Sequence, residues 1–189
     1  RIIEESLKRL QTDQVDLLHI HQLGDMDDLA KLEEKGGVLD VVYKAREQKM
    51  ARFIGVTSHT DPITLKTALE RHDFDCTQMA LNAAHVGMRS GKRGMEINPA
   101  MKDSFEKLAL PVANRKKMGV IAMKIFGQEG LVGHAPIDKL IRYSLSLPVT
   151  TAVLGMPELA MIEQNVEIAK AFKPLPKGEM QDMSRQLLP

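Results

Sequence analysis

The chain has 189 residues, about one domain by length, and its 43% hydrophobic and 27% charged residues exclude a disordered composition. Its 26 basic and 25 acidic side chains nearly cancel, to a formal charge of +1, which argues against a whole-domain nucleic-acid binder. A lone cysteine, Cys76, rules out an internal disulfide framework, and no apolar run approaches the roughly 18–20 residues that span a bilayer.

The chain opens on Arg1, without an initiator Met and inside a helical pattern. This reads as a piece of a longer chain, whose upstream part could carry a targeting signal. The pattern over Arg1–Gln11 places Ile3, Leu7 and Leu10 on one helical face. A short apolar run, Val15–His21, follows and reads as a buried strand. Val38–Met50 reads as a helix through Val38, Val41, Val42 and Ala45, and Phe53–Ser58 as the next strand. Asp61 and Pro62 open another helix, as cap and first-turn residue. Cys76–Asn82 is a third strand. The connection that follows, roughly 83–104, is long enough to be functional or mobile, and carries Arg89, Lys92 and Arg93 among glycines.

A helix over Phe105–Met118 ends in basic residues, with Gly119 as the expected terminator. The strand Val120–Phe126, the helix Pro136–Leu147 and the strand Thr151–Met156 continue the alternation. Pro157–Phe172 closes it, with Leu159, Ile162, Val166 and Ala169 in an apolar stripe, and a short helix near Glu179–Leu187 fits the tail. Near-continuous apolar strands alternating with helices require a parallel sheet covered on both faces. Periodicity alone leaves two architectures open, a doubly wound sheet and a (β/α)8 TIM barrel.

The residues from Ser6 to His21 carry a pattern, SLKRL-x-x-D-x-x-DL-x-x-x-H, that resembles the lead-in and fourth barrel strand of the aldo-keto reductase family. Arg52–Ser58 resembles that family's fifth strand, and Gln78 with Ala80-Leu81-Asn82 its sixth. Gly119–Gly127 resembles its seventh strand, Leu154-Gly155-Met156 its eighth, and Ile162–Asn165 the helix after it. The resemblance covers nearly the whole chain and selects the barrel. It implies that residues 1–189 are the C-terminal portion of one barrel domain, about five of its eight βα units.

The resemblance also implies chemistry. His21 ends the first strand and corresponds to the histidine that orients and polarises a substrate carbonyl. His19 has the same parity and is the competitor, expected to pack deeper in the barrel. Thr57, Ser58 and Gln78 correspond to the groups that hold a nicotinamide carboxamide, with Ser58 in place of the usual Asn and His59 beside it. Met123 replaces the aromatic residue that stacks on the nicotinamide ring, and Lys124 replaces a serine and could pair with a pyrophosphate. Phe126 and Gly127 complete that strand end. Gly155, Met156, Gln164 and Asn165 match the adenosine end, while Met161 stands where many members have an arginine for a 2′-phosphate.

The implied activity is reduction of an aldehyde or ketone by hydride from NAD(P)H, with NADP(H) favoured over NAD(H). The partner is a small carbonyl compound, the location cytoplasmic, and no nucleic acid, membrane or metal is expected. The family's remaining catalytic residues, Asp, Tyr and Lys, would lie upstream, because Tyr43 and Tyr143 both fall in outer helices. The segment alone is therefore expected to be inactive. The alternative is a non-catalytic barrel that senses a nicotinamide cofactor or binds a partner. The Arg89–Arg93 loop reads as solvated, with cover of the substrate mouth as its sharper alternative, and Cys76 reads as core.

Overall fold

The structure is a computed structural model that describes residues 1–91 and 94–187. Helix α1 (Ile2–Leu10) leads into strand β1 (Val15–Ile20), then helices α2 (Met26–Glu33) and α3 (Val38–Glu47). Strand β2 (Ala51–Ser58), helix α4 (Pro62–Arg71) and strand β3 (Cys76–Ala80) follow. Next come a hairpin of β4 (Gly87–Gly91) and β5 (Gly94–Asn98), helix α5 (Phe105–Arg115) and strand β6 (Gly119–Met123). Helix α6 (Ile137–Ser146), strand β7 (Thr151–Ala152) and helices α7 (Leu159–Lys170) and α8 (Lys177–Leu187) complete the chain.

Strands β1, β2, β3, β6 and β7 form one sheet in that order, and every neighbouring pair is parallel. A doubly wound sheet reverses its order at a switch point. This one does not, so the five strands form a sector of a (β/α)8 barrel. Register then decides which side chains point inward. His19 lies opposite Gly55, Gly55 opposite Cys76, and Cys76 opposite Gly119. One layer further along, Thr57 faces Gln78 and Gln78 faces Ile121. These residues share the barrel's inner face. The alternating positions Ile54, Val56, Met79, Val120 and Ala122 are buried against the helices, with Leu65, Leu69, Ala109 and Leu140.

Local signals explain several boundaries. The Asp61 carboxylate accepts from the backbone N–H of Ile63 at 2.8 Å and of Thr64 at 3.2 Å, and Pro62 fills the first turn of α4. Ser104 caps α5 in the same way, accepting from Lys107 at 3.2 Å. That helix ends at Arg115, three residues before the predicted Met118, and its left-handed exit residue is Lys117 (φ 57°) rather than Gly119. Gly119 instead opens β6 against Cys76.

Four further elements add to the sequence reading or differ from it. Helix α2, capped by Asp25, falls in a stretch to which the apolar pattern assigns no element, and only Leu29 of its eight residues is buried. The long connection 83–104 contains the β4–β5 hairpin; Lys92 and Arg93 lie outside the described residues. The last strand is two residues, not six, since only Thr151 and Ala152 pair with β6. The apolar stripe of α7 is not core: Leu159 is 80% exposed and Ile162 and Val166 at least 40%, while the one buried residue of that helix is Asn165. No helix among the described residues is long and apolar enough to cross a membrane.

Gly55 is the tightest point of the inner layer. A Cβ there would lie 2.5 Å from the His19 ring and 2.6 Å from the carbonyl oxygen of Cys76. Overfilling a packed interior costs about 1–3 kcal/mol, so Gly55→Ala is expected to lower the unfolding free energy of the full-length protein by that amount, read as a lower denaturant midpoint at an unchanged m-value.

Candidate functional site

The C-terminal ends of the parallel strands open on a cleft of about 810 Å³, within the size range of small-molecule and cofactor sites. His21 stands just past the end of β1 and lines it. His59, just past the end of β2, lines it too, its ring centroid 6.4 Å from that of His21 in an edge-on arrangement. Gln78 reaches the cleft from β3 and donates from Nε2 to the Met123 sulfur at 3.3 Å. Met123 ends β6, and Lys124 follows in a left-handed conformation (φ 57°) with its ammonium on the Gln128 side chain at 2.5 Å. Phe126 completes this wall.

The opposite wall comes from the segment after β7 and from α7. Gly155, Gln164 and Asn165 line it, as does Met161. A Cβ at Gly155 would meet nothing within 4 Å, so its missing side chain is not required by packing and leaves the wall open. Met156 is 41% exposed and does not line the cleft. Gly127 does not line it either. Its φ of 56°, and the 3.0 Å approach a Cβ would make to Ile97 and Leu131, give that glycine a structural role.

Thr57 and Ser58 are buried behind the lining, at 3% and 0% exposure. Their hydroxyl oxygens have no hydrogen-bond partner, and neither do Nε2 of His19, Nε2 of His59 and Oε1 of Gln22. These five are the orphaned buried side-chain atoms among the described residues, and all belong to β1, β2 or the residues just after them. Buried polar atoms are normally satisfied, so such a concentration marks a place built for a polar group.

Cations crowd the same corner. Burial, with help from the charges of Lys124 and His21, pushes the His59 imidazole down to about 4. Burial and His21 likewise lower His19. The residue foreseen as a deeper competitor of His21 is thus a neutral imidazole packed on Gly55.

Several cleft residues escaped the sequence reading. Gln128, Glu129 and Val132 come from the β6–α6 connection, Ile137 opens α6, and Glu158 stands at the N-cap position of α7 without a side-chain capping bond. The signal was available: the connection after β6 runs to Pro136 with glycines at 127, 130 and 133, and long loops after barrel strands sit at the functional face. Arg89 of the basic loop is held by Glu96 across the hairpin at 2.9 Å, away from the cleft. No cluster of metal-ligating side chains occurs among the described residues.

The donor set is one that meets an amide and an anionic group. An amide needs donors and acceptors, which Gln78 and the unpaired hydroxyls of Thr57 and Ser58 supply on adjacent strands. Lys124 offers a cation for a diphosphate.

No protein-family model matches the chain. In sequence it is 26% identical over 196 residues to L-galactose dehydrogenase of Arabidopsis thaliana, a match that covers 87% of this chain and 55% of that protein. The chain thus spans about half the length of this curated relative. In structure it is similar to the aldo-keto reductase AKR11C1 from Bacillus halodurans in its holo form, with a TM-score of 0.69 and 18% identity over 100% of this chain and 66% of that one. It is also similar to an aldo-keto reductase from Klebsiella pneumoniae in complex with NADPH, with a TM-score of 0.66 and 21% identity over 100% of this chain and 64% of that one. The fold is that of the aldo-keto reductases, and the structural likeness covers the whole chain.

His59 gives the site a pH signature. Its pKa of about 4 lies below the ordinary 6.5, so the unfolded chain takes up the proton first as pH falls. The stability it contributes is complete above pH 6.5 and is lost as pH falls towards 4. Histidine NMR titration of the full-length protein is expected to place His59 near 4, and Lys124→Met to raise that value by removing a neighbouring positive charge. A midpoint near 6.5 in the wild type would contradict this account of the corner.

Proposed function

We propose that the chain is the C-terminal portion of a single barrel domain in an NAD(P)(H)-dependent oxidoreductase that interconverts a carbonyl compound and its alcohol. The observation that carries this reading is the meeting of His21, Gln78 and Lys124, from three strands of one sheet, around one cleft, beside unpaired buried hydroxyls. The L-galactose dehydrogenase relative supports dehydrogenase chemistry, and the NADPH complex of the Klebsiella relative supports NADP(H) as the favoured form. A bound nicotinamide supplies or accepts the hydride.

Negative charge builds on the carbonyl oxygen as hydride arrives, and His21 is placed to hold that oxygen with a donated N–H. Gln78, Thr57 and Ser58 fix the carboxamide and so the ring face presented to the substrate. Met123 packs against the ring through its polarisable thioether. Lys124, whose ammonium now rests on Gln128 in the cleft wall, would pair with the diphosphate. Gln164 and Asn165 receive the adenine edge, and Gly155 leaves room for the ribose. The proton that completes the alcohol would come from the tyrosine that the family resemblance implies upstream, tuned by the implied lysine and aspartate.

A non-catalytic cofactor-binding barrel is the second reading. It is favoured by Met123 and Ser58, which replace the usual aromatic and amide side chains.

Titration of the full-length protein with NADPH and NADH, followed by carbonyl turnover, separates the two, since binding without turnover supports the sensor. His21→Ala is expected to lower kcat by about 100-fold or more while cofactor affinity changes by less than about threefold. Unchanged turnover would remove His21 from the chemistry. Lys124→Met is expected to weaken both cofactors by roughly tenfold, with kcat little altered.

A further inference from the structure

The segment between β3 and the hairpin laces the cleft together. The Leu81 N–H donates to the Met123 carbonyl at 3.0 Å. The Asn82 side-chain amide donates to the Lys124 carbonyl at 3.3 Å and to the Val86 carbonyl at 2.8 Å, while its oxygen accepts from the Val86 N–H. The Met88 N–H donates to the His59 carbonyl at 2.6 Å. The backbones of three cleft residues thus hang on residues 81–88.

That segment is gripped at its centre by a polar cluster outside the cleft. His85 Nε2 lies 2.8 Å from the Tyr143 hydroxyl, 3.3 Å from Glu106 Oε2 and 3.3 Å from Ser184 Oγ. Tyr143 donates to Glu106 at 3.0 Å and accepts from Ser184 at 3.1 Å. Ser144 adds a bond to the Leu81 carbonyl at 2.8 Å. The four side chains of the cluster come from the segment itself, α5, α6 and α8. Tyr143 is 2% exposed, and burial, with the Glu106 charge beside it, raises its pKa, so the phenol stays a donor.

The arrangement is not a nucleophilic triad. Serine and carboxylate meet the same imidazole nitrogen, whereas a triad needs them on opposite ones. Its chemistry is that of a clasp. His85 also holds a left-handed backbone (φ 56°), a conformation that glycine or asparagine adopts at lower cost. A histidine there is explained by what its ring reaches.

We propose that the His85–Tyr143–Glu106–Ser184 clasp positions the cleft, setting Met123, Lys124 and His59 through residues 81–88 and tying their placement to the C-terminal helix α8. None of the four touches the cleft lining, so they are positioning residues. Only the consequence for cofactor affinity rests on the proposed function.

The test uses the full-length protein with Tyr143→Phe and His85→Asn, the latter chosen because asparagine tolerates the backbone. Val42→Ala on α3, a core truncation, is the control for lost stability. The two clasp variants are expected to speed amide exchange at Leu81 and Met88 by about tenfold or more, to shift the His59 and Lys124 resonances, and to weaken NADPH binding by roughly five- to tenfold. Val42→Ala should leave all of these within about twofold of wild type. Wild-type exchange and resonances in both clasp variants, or equal changes in Val42→Ala, would overturn the proposal. If wild-type protein binds no NADPH, the cofactor reading fails, while the exchange and resonance data still decide the clasp.

Discussion

Parallel pairing in unbroken chain order is the constraint from which the site follows. Each strand must run the same way as its neighbour, so all five present their C-terminal ends at one rim, and each crossover helix is carried to the outer face. Register adds the second condition. With His19 opposite Gly55 and Thr57 opposite Gln78, residues distant in sequence fall into common inward layers. His21, His59, Gln78 and Lys124 then meet because each sits at or just past a strand end, not because any local motif joins them. The small residue Gly55 makes this possible, since the His19 ring occupies the space its own Cβ atom would need.

The rim spends stability on chemistry. Five buried polar atoms go unpaired in two adjacent strands, and two imidazoles are held below their ordinary pKa by burial and neighbouring cations. The opposite condition holds on the helical side. There the buried polar groups of residues 81–88, α5, α6 and α8 are satisfied reciprocally, and apolar layers surround them. A site with unmet hydrogen-bonding capacity beside a rigid, fully bonded support is the pattern expected of a preorganised binding cleft.

The strands were legible because buried parallel strands read as short apolar runs, and β1, β2, β3 and β6 agree with those runs to within a few residues. The cap at Asp61 was legible for a local reason, since its carboxylate bonds N–H groups two and three residues on. Helix α2 and the hairpin were not, because their burial comes from neighbours rather than from an apolar period of their own. Helix α7 misled in the other direction. Its stripe of Leu159, Ile162 and Val166 has helical spacing, yet those side chains are exposed and Asn165 faces inward. Periodicity reports that a helix has an apolar face and is silent on which face meets the sheet.

The sequence by itself determined the alternation of strand and helix, the parallel sheet and, through motifs in chain order, the barrel and the residues at its strand ends. Those are properties of spacing along one chain, which local sterics and apolar pattern encode directly. Tertiary structure alone decided which of those residues line a common cleft and which stand behind it, as Gly127 and Thr57 do. It alone brought in Glu129 and Glu158, lowered His59 through burial and then the charges of Lys124 and His21, and joined His85 to Tyr143 and Ser184 across as many as 99 residues. Such contacts depend on register and on the packing of helices against the sheet, and no interval in the sequence carries that information.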